Sequence, residues 1–415
     1  MKSFSKHISP NDAFKYLLIL FIILTSIKFY SLFLPYGGRR YVIFLGAVTI
    51  LFFLIINLIY DRSKTFPINF KKEAGAIIII LFIGIFSAKF FHDQSIAITI
   101  IAQHGVYFIL FYFLLHKLKP HPDQLLSIFI WLGYVYCILY AIQWAIFPRQ
   151  IIFANMLYDR GTVRIFMPGS EYLFSGYFIL LGRFFIHKKL KYIVYLIPYL
   201  IILLLMGTRQ MIASLVLATL INILLSRTIR SKLFMYLIIA SCLIPFYFLF
   251  KDIFDQMLQV TTEQKSAGIT ANIRYQAIMF YMFSVNPNPL WVLVGNGMPD
   301  TLSEYGRTIS SYGQNMGFYL EDIGLFADLF HFGIILVIAK VSIYLRLVKW
   351  PLLEKYTFVR YNVITILLTL FTGGGLNSSV LALTCMMMYI ADLSKVDREI
   401  ELPEPANANK NKVTV

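Results

Sequence analysis

Long apolar runs follow one another along almost the whole chain, separated by short polar stretches. A bilayer core about 30 Å thick takes about 20 apolar residues per helix. Such runs fall at 14–34, 41–60, 74–91, 95–115, 125–147, 171–186, 191–206, 210–226, 232–250, 322–345, 357–372 and 376–392. Only helices and closed barrels satisfy their backbone in lipid, and continuous rather than alternating runs select helices. The pattern therefore predicts an all-α, polytopic integral membrane protein of about 12 transmembrane helices. It forms a single helical domain over 1–393, followed by a disordered cytoplasmic tail over 394–415 whose composition, ELPEPANANKNK, cannot bury a core.

Composition agrees. Of 415 residues, 59% are hydrophobic and 14% charged, and the mean hydropathy of +0.71 excludes an ordinary soluble domain. The first run is too long for the core of a signal peptide and has no small-residue cleavage site, so it reads as an uncleaved span. Cys137, Cys242 and Cys385 lie inside apolar runs, without metal-site spacing, and read as packing residues.

The net charge of +16 is distributed unevenly. With the N-terminus inside, the inner segments collect Lys71 and Lys72, Lys117 and Lys119, Lys188 and Lys189, Arg227 and Arg230, Arg346 and Lys349. That bias obeys the positive-inside rule with both termini in the cytoplasm, so the charge is topology signal and lipid contact and gives no reason to invoke nucleic acid. Two hydrophilic segments, about 148–170 and 251–321, are too long to be mere connections, and this topology puts both outside. Loops of that length tend to carry function.

The candidate chemistry lies on the same outer side. No phosphate-binding loop ending in Gly-Lys-Ser/Thr is present, Gly295-Asn296-Gly297 is too weak a glycine motif, and no histidines or carboxylates have metal-ligand spacing. Arg209, in Met206-Gly207-Thr208-Arg209-Gln210, is either an interfacial arginine reaching headgroups or an anion clamp whose planar fork binds two phosphate oxygens. Arg149, Arg160 and Arg164 share the first outer loop without a lysine, which suggests bidentate anion recognition. Pairing with Asp159 and Glu171 is the equal alternative. Arg274, in the second loop, is a further clamp candidate. Glu321 and Asp322, at the mouth of the 322–345 run, fit either a general base or a helix cap. Asp328 and His331, three apart, face one another and either satisfy each other or relay a proton. The remaining histidines, His104 among them, form no cluster and carry no assignment.

The order of these features is an outer arginine-rich loop, Gly-Thr-Arg-Gln opening a span, a large outer loop with an early arginine and a later Gly-Asn-Gly, then Gln314-Asn315 before Glu321-Asp322-Ile323-Gly324. That order resembles the bacterial O-antigen polymerase and O-antigen ligase superfamily over about residues 150–345. The resemblance implies a glycosyltransferase-type enzyme of the bacterial inner membrane. Such an enzyme joins undecaprenyl-diphosphate-linked repeat units at the periplasmic face, with no cofactor and no metal. Its implied partners are the lipid-linked glycan, the bilayer and a chain-length regulator protein. Carried over, Arg209 falls on the family's Ser/Thr-Arg motif and Arg274 on the basic position of the large loop. Arg160 and Arg164 match the first-loop basic cluster in kind, with Glu171 beside them. Where the ligase pattern has a histidine this chain has Gln314, followed by Asn315, and glutamine cannot act as a base. The departure implies a polymerase and leaves the base to Asp322 with Glu321. A ligase, or a flippase or transporter of about a dozen helices, is the rival reading.

Overall fold

The computed structural model describes residues 10–33, 39–60, 67–152, 154–159, 162–225, 272–285, 288–371 and 375–401, with isolated positions between 231 and 262 and residue 373. Helices dominate. In chain order they are α1 (Pro10–Ser26), α2 (Arg39–Tyr60), α3 (Lys71–His92), α4 (Ile96–Ala102), α5 (Phe111–Leu118) and α6 (Pro122–Ala145). After a hairpin of β1 (Asn155–Asp159) and β2 (Thr162–Phe166) come α7 (Ser170–His187), α8 (Lys191–Leu205) and α9 (Arg209–Leu225). The second half holds α10 (Ile273–Phe283), α11 (Trp291–Val294), α12 (Glu304–Met316), α13 (Leu325–Lys349), α14 (Phe358–Thr369) and α15 (Ser378–Glu401).

Five helical stretches are long and apolar enough to cross a membrane: Tyr41–Ile59, Lys71–His92, Ile96–Leu118, Pro122–Ala145 and Leu325–Lys349. Several such helices in one chain mark a membrane protein. Other expected runs also form helices, not among those five. Among them α1, α7, α8, α9 and α14 are helices of 17, 18, 15, 17 and 12 residues. At 1.5 Å per residue α8 extends about 22 Å, less than the hydrocarbon thickness. The cause is local: Lys28 turns left-handed at φ 56° just after α1, and Gly207 at φ 62° just after α8. The expected span 232–250 and most of the 251–271 stretch lie outside the described residues.

Most of the helices close around one large apolar core, with tyrosine used as a wedge, and α10, α12 and the start of α13 around a second, smaller one. The Tyr199 ring sits where a Cβ on Gly133 or Gly176 would come within 2.6 Å of it, so α6, α7 and α8 approach closely only because both positions lack a side chain. Its hydroxyl donates to the Ile130 carbonyl at 2.7 Å. Cys137 and Cys385 are buried, and the Cys385 thiol sits 3.4 Å from the Phe108 carbonyl; Cys242 lies outside the described residues.

Two polar ends result. At the lysine-rich end, Asp392 of α15 accepts from Tyr112 at 2.5 Å, from His116 Nε2 at 3.1 Å and from Asn69 at 2.9 Å. Arg346, near the end of α13, pairs with Glu73 of α3 and donates to the Asn69 carbonyl. The opposite end carries the hairpin, and there the all-α expectation is corrected. Strand residues Asn155–Asp159 and Thr162–Phe166 pair antiparallel, with Leu157 opposite Arg164. The hairpin is seated by Tyr140, whose hydroxyl donates to Val163, and by Thr162, which donates to the Leu205 carbonyl. Extended backbone needs donors and acceptors outside itself unless it pairs, and a two-strand hairpin anchored by side chains meets that demand.

Candidate active site

Near the same end α13 is broken. Gly333 adopts φ 76°, ψ 179° inside the helix, which deprives the preceding turn's carbonyls of their helical donors. The Gly295-Asn296-Gly297 segment supplies replacements: Asn296 N–H donates to the Phe330 carbonyl at 2.9 Å, and Gly297 N–H to the His331 carbonyl at 2.8 Å. A Cβ on Gly295 would stand 2.2 Å from the His331 oxygen, and one on Gly333 the same distance from the Leu293 oxygen. The glycines are therefore demanded by backbone contact, not by a phosphate. Gln94 fixes the segment further, donating to Thr99 and to the Met298 carbonyl while accepting from Asp300 N–H and the Ser303 hydroxyl. His92 holds the Asn296 amide at 3.0 Å and stacks on Tyr305, ring centres 3.8 Å apart. Burial pushes the Tyr305 hydroxyl well above its ordinary pKa, so that ring stays neutral.

Asp328 lies on the N-terminal side of the break and Lys340 on the other, joined at 2.5 Å with both side chains buried. The second Asp328 oxygen accepts from Leu376 N–H at 2.8 Å. The expected Asp328–His331 pairing is thus corrected: the aspartate is taken by Lys340, twelve residues on, which outcompetes a neutral imidazole for a buried charge. His331 Nε2 is buried with no hydrogen-bond partner among the described residues.

Two cavities open at this end and share Lys28. The first, about 480 Å³, lies between the hairpin and the starts of α7 and α9, and is lined by Lys28, Tyr136, Asn155, Arg164, Ser170 and Thr208. The second, about 250 Å³, is lined by Lys28, His104, Glu321, Asp328, His331 and Ser378. Arg164 is oriented by a bond from Nε to the Met206 carbonyl at 3.1 Å, and its guanidinium carbon stands 5.0 Å from the Phe166 ring centre. Two helix N-termini, at Ser170 and Arg209, border the first cavity, and helix N-termini favour anions. Lys28, two helix starts and a fixed guanidinium make this cavity an anion site in chemistry.

The sequence-derived candidates are divided by this geometry. Arg164 lines the first cavity and Glu321 the second. Arg209, half-buried, opens α9 without lining either, although its neighbours Thr208 and Met211 do. Glu171 lies one residue beyond Ser170 and accepts from Ser379 at 2.8 Å, so it ties α7 to α15. Asp322 is exposed, on the turn before α13, and caps no helix with its side chain. Arg274 is exposed in the first turn of α10, and Gln314 and Asn315 are exposed on α12; none lines either of these two cavities. Arg160 lies outside the described residues. Sequence reading missed Lys28, taken as a span-interior residue, and His104, left unassigned. A lysine just past a polar Thr25-Ser26 pair was the available signal for the first; none marked the second. Among the described residues, no three His, Cys, Asp or Glu gather as metal ligands would.

Fold and site together define a helical membrane protein with a polar, cation-bearing cleft at one end. No protein-family model matches the chain, and neither a curated protein nor a solved structure matches it significantly.

Proposed function

We propose that this chain is a polymerase of the O-antigen polymerase and ligase type, which joins lipid-diphosphate-linked oligosaccharide repeat units at the periplasmic face of a bacterial inner membrane. In this reading the lysine-rich end faces the cytoplasm, both termini are inside, and about a dozen segments cross the bilayer. The observation that carries it is the pair of cavities sharing Lys28. A transfer between two lipid-linked glycans needs a donor and an acceptor side by side, with positive charge where the leaving group departs.

The donor diphosphate occupies the first cavity, gripped by Arg164 and Lys28 and by the positive starts of α7 and α9, with Arg209 at its edge. Negative charge on the leaving diphosphate grows as the sugar–phosphate bond breaks, and these groups stabilise that growth more than the ground state. The acceptor sugar occupies the second cavity, beside Glu321. Arg274, Gln314 and Asn315, exposed on α10 and α12, handle glycan beyond the cavities, and Asp322 orients the incoming chain at their mouth. Energy comes from the donor linkage, so neither nucleotide nor metal takes part.

A transporter is the second reading, favoured by the interrupted α13 with its buried Asp328–Lys340 pair, since broken helices line substrate sites in transporters. Deleting the gene and profiling surface glycans separates the readings. The polymerase reading expects loss of the polysaccharide ladder with single-repeat species remaining, restored by the wild-type chain and not by Arg164→Ala or Arg209→Ala. A normal ladder in the deletion strain would sink it. Loss of single-repeat species as well indicates a ligase, and proton flux without change in glycan length indicates a transporter.

A further inference from the structure

We infer that His104 is the proton acceptor of the second cavity, the group that activates the acceptor hydroxyl; the inference rests on the glycan-transfer reading above. The 3-10 turn Gln103–Leu110 carries the imidazole into the wall of that cavity. His104 Nδ1 lies 2.7 Å from the Ile101 carbonyl oxygen. A carbonyl oxygen only accepts, so Nδ1 must carry the hydrogen, and the neutral ring then holds its lone pair on Nε2. The same bond fixes the ring plane, as a base needs if its lone pair is to meet one hydroxyl.

The other groups on the cavity wall are less suited. Asp328 has both oxygens engaged, by Lys340 and by Leu376 N–H. His331 Nε2 is sealed from solvent. Lys28 is cationic and lines both cavities, which places positive charge beside the bond to be broken. Glu321 borders the cavity but is exposed to water.

The acceptor oxygen bonds to the donor's anomeric carbon, the bond from that carbon to the diphosphate oxygen breaks, and its electron pair leaves with the lipid diphosphate. The hydroxyl proton passes to His104 Nε2 and then to water.

The test uses the full chain in nanodiscs, with lipid-linked repeat units extracted from the deletion strain and undecaprenyl diphosphate as the binding probe. His104→Gln is expected to slow elongation about a hundredfold or more while binding the probe within about threefold of wild type. His104→Ala should recover part of its rate with added imidazole, a result that a packing role would not give. Elongation by His104→Gln within about twofold of wild type, or loss of probe binding together with activity in both variants, overturns the assignment and leaves the glycan-transfer reading intact. Failure of the wild-type chain to elongate the units overturns that reading, and the assignment with it.

Discussion

Asp392 at the lysine-rich end has three donors on its two oxygens, and Arg346 there is held by Glu73 and the Asn69 carbonyl. At the hairpin end Lys28, Arg164, His104 and Glu321 instead line open volume. A cleft of about 480 Å³ exists at the lysine-rich end too, but its arginine, Arg360, donates to the Val348 and Trp350 carbonyls and so closes the end of α13. The contrast separates two uses of buried polarity. Groups that spend their hydrogen bonds on one another hold helices in register, whereas Arg164 and His104, each oriented by a backbone carbonyl, also border open volume.

Substitutions should divide along the same line. The largest effect is expected from Asp392→Ala, which takes a buried acceptor from Tyr112, His116 and Asn69 together and should cost about 3–5 kcal/mol. Thermal unfolding in detergent would show it, with activity falling only as folded protein is lost. Arg164→Ala should do the reverse, cutting elongation about a hundredfold, roughly 2.7 kcal/mol of transition-state stabilisation, with little change in melting temperature. Equal losses of stability in the two variants would erase the distinction between the ends.

A smaller effect belongs to the seam between them. Gly333→Ala forces a side chain into φ 76° and against the Leu293 carbonyl, costing at least about 1–3 kcal/mol and loosening the segment over Asn296 and Gly297. Faster proteolysis between residues 288 and 303 would report it. Arg274→Ala, on the exposed start of α10, should change stability by no more than about 0.5 kcal/mol, read as an unmoved melting curve. The least effect is expected at Asp93. Lys89 holds its carboxyl below the ordinary range, so the pair contributes above the unfolded carboxylate pKa of about 4 and is lost as pH falls through the lowered value. Because Asp93 is fully exposed, Asp93→Asn should leave the neutral-pH melting curve unmoved.

Much of the helical frame was legible because lipid allows only helices and closed barrels, and continuous apolar runs select the helix. The runs at 74–91, 125–147 and 322–345 became Lys71–His92, Pro122–Ala145 and Leu325–Lys349, with ends shifted by a few residues. The hairpin was not legible: strands of five residues with Leu157 and Tyr158 exposed carry no burial alternation. Nor was the break at Gly333, since its cause, the Gly295–Gly297 segment, lies about forty residues away in sequence. Arg164 was found because arginine in an outer loop runs against the inside bias. His104 was not, because its cavity is completed by Glu321, Asp328 and Ser378, more than two hundred residues on. Periodicity reports a helix's own face, and a site assembled from distant turns leaves no period.

The central claim, that the hairpin end joins two lipid-linked glycans, is tested most directly by reconstituting the purified chain in sealed vesicles with lipid-diphosphate-linked repeat units alone, without nucleotide sugar, ATP or an ion gradient. The account predicts products of two or more repeats together with released lipid diphosphate. Repeat units that cross the membrane unlengthened, with no lipid diphosphate released, would contradict it.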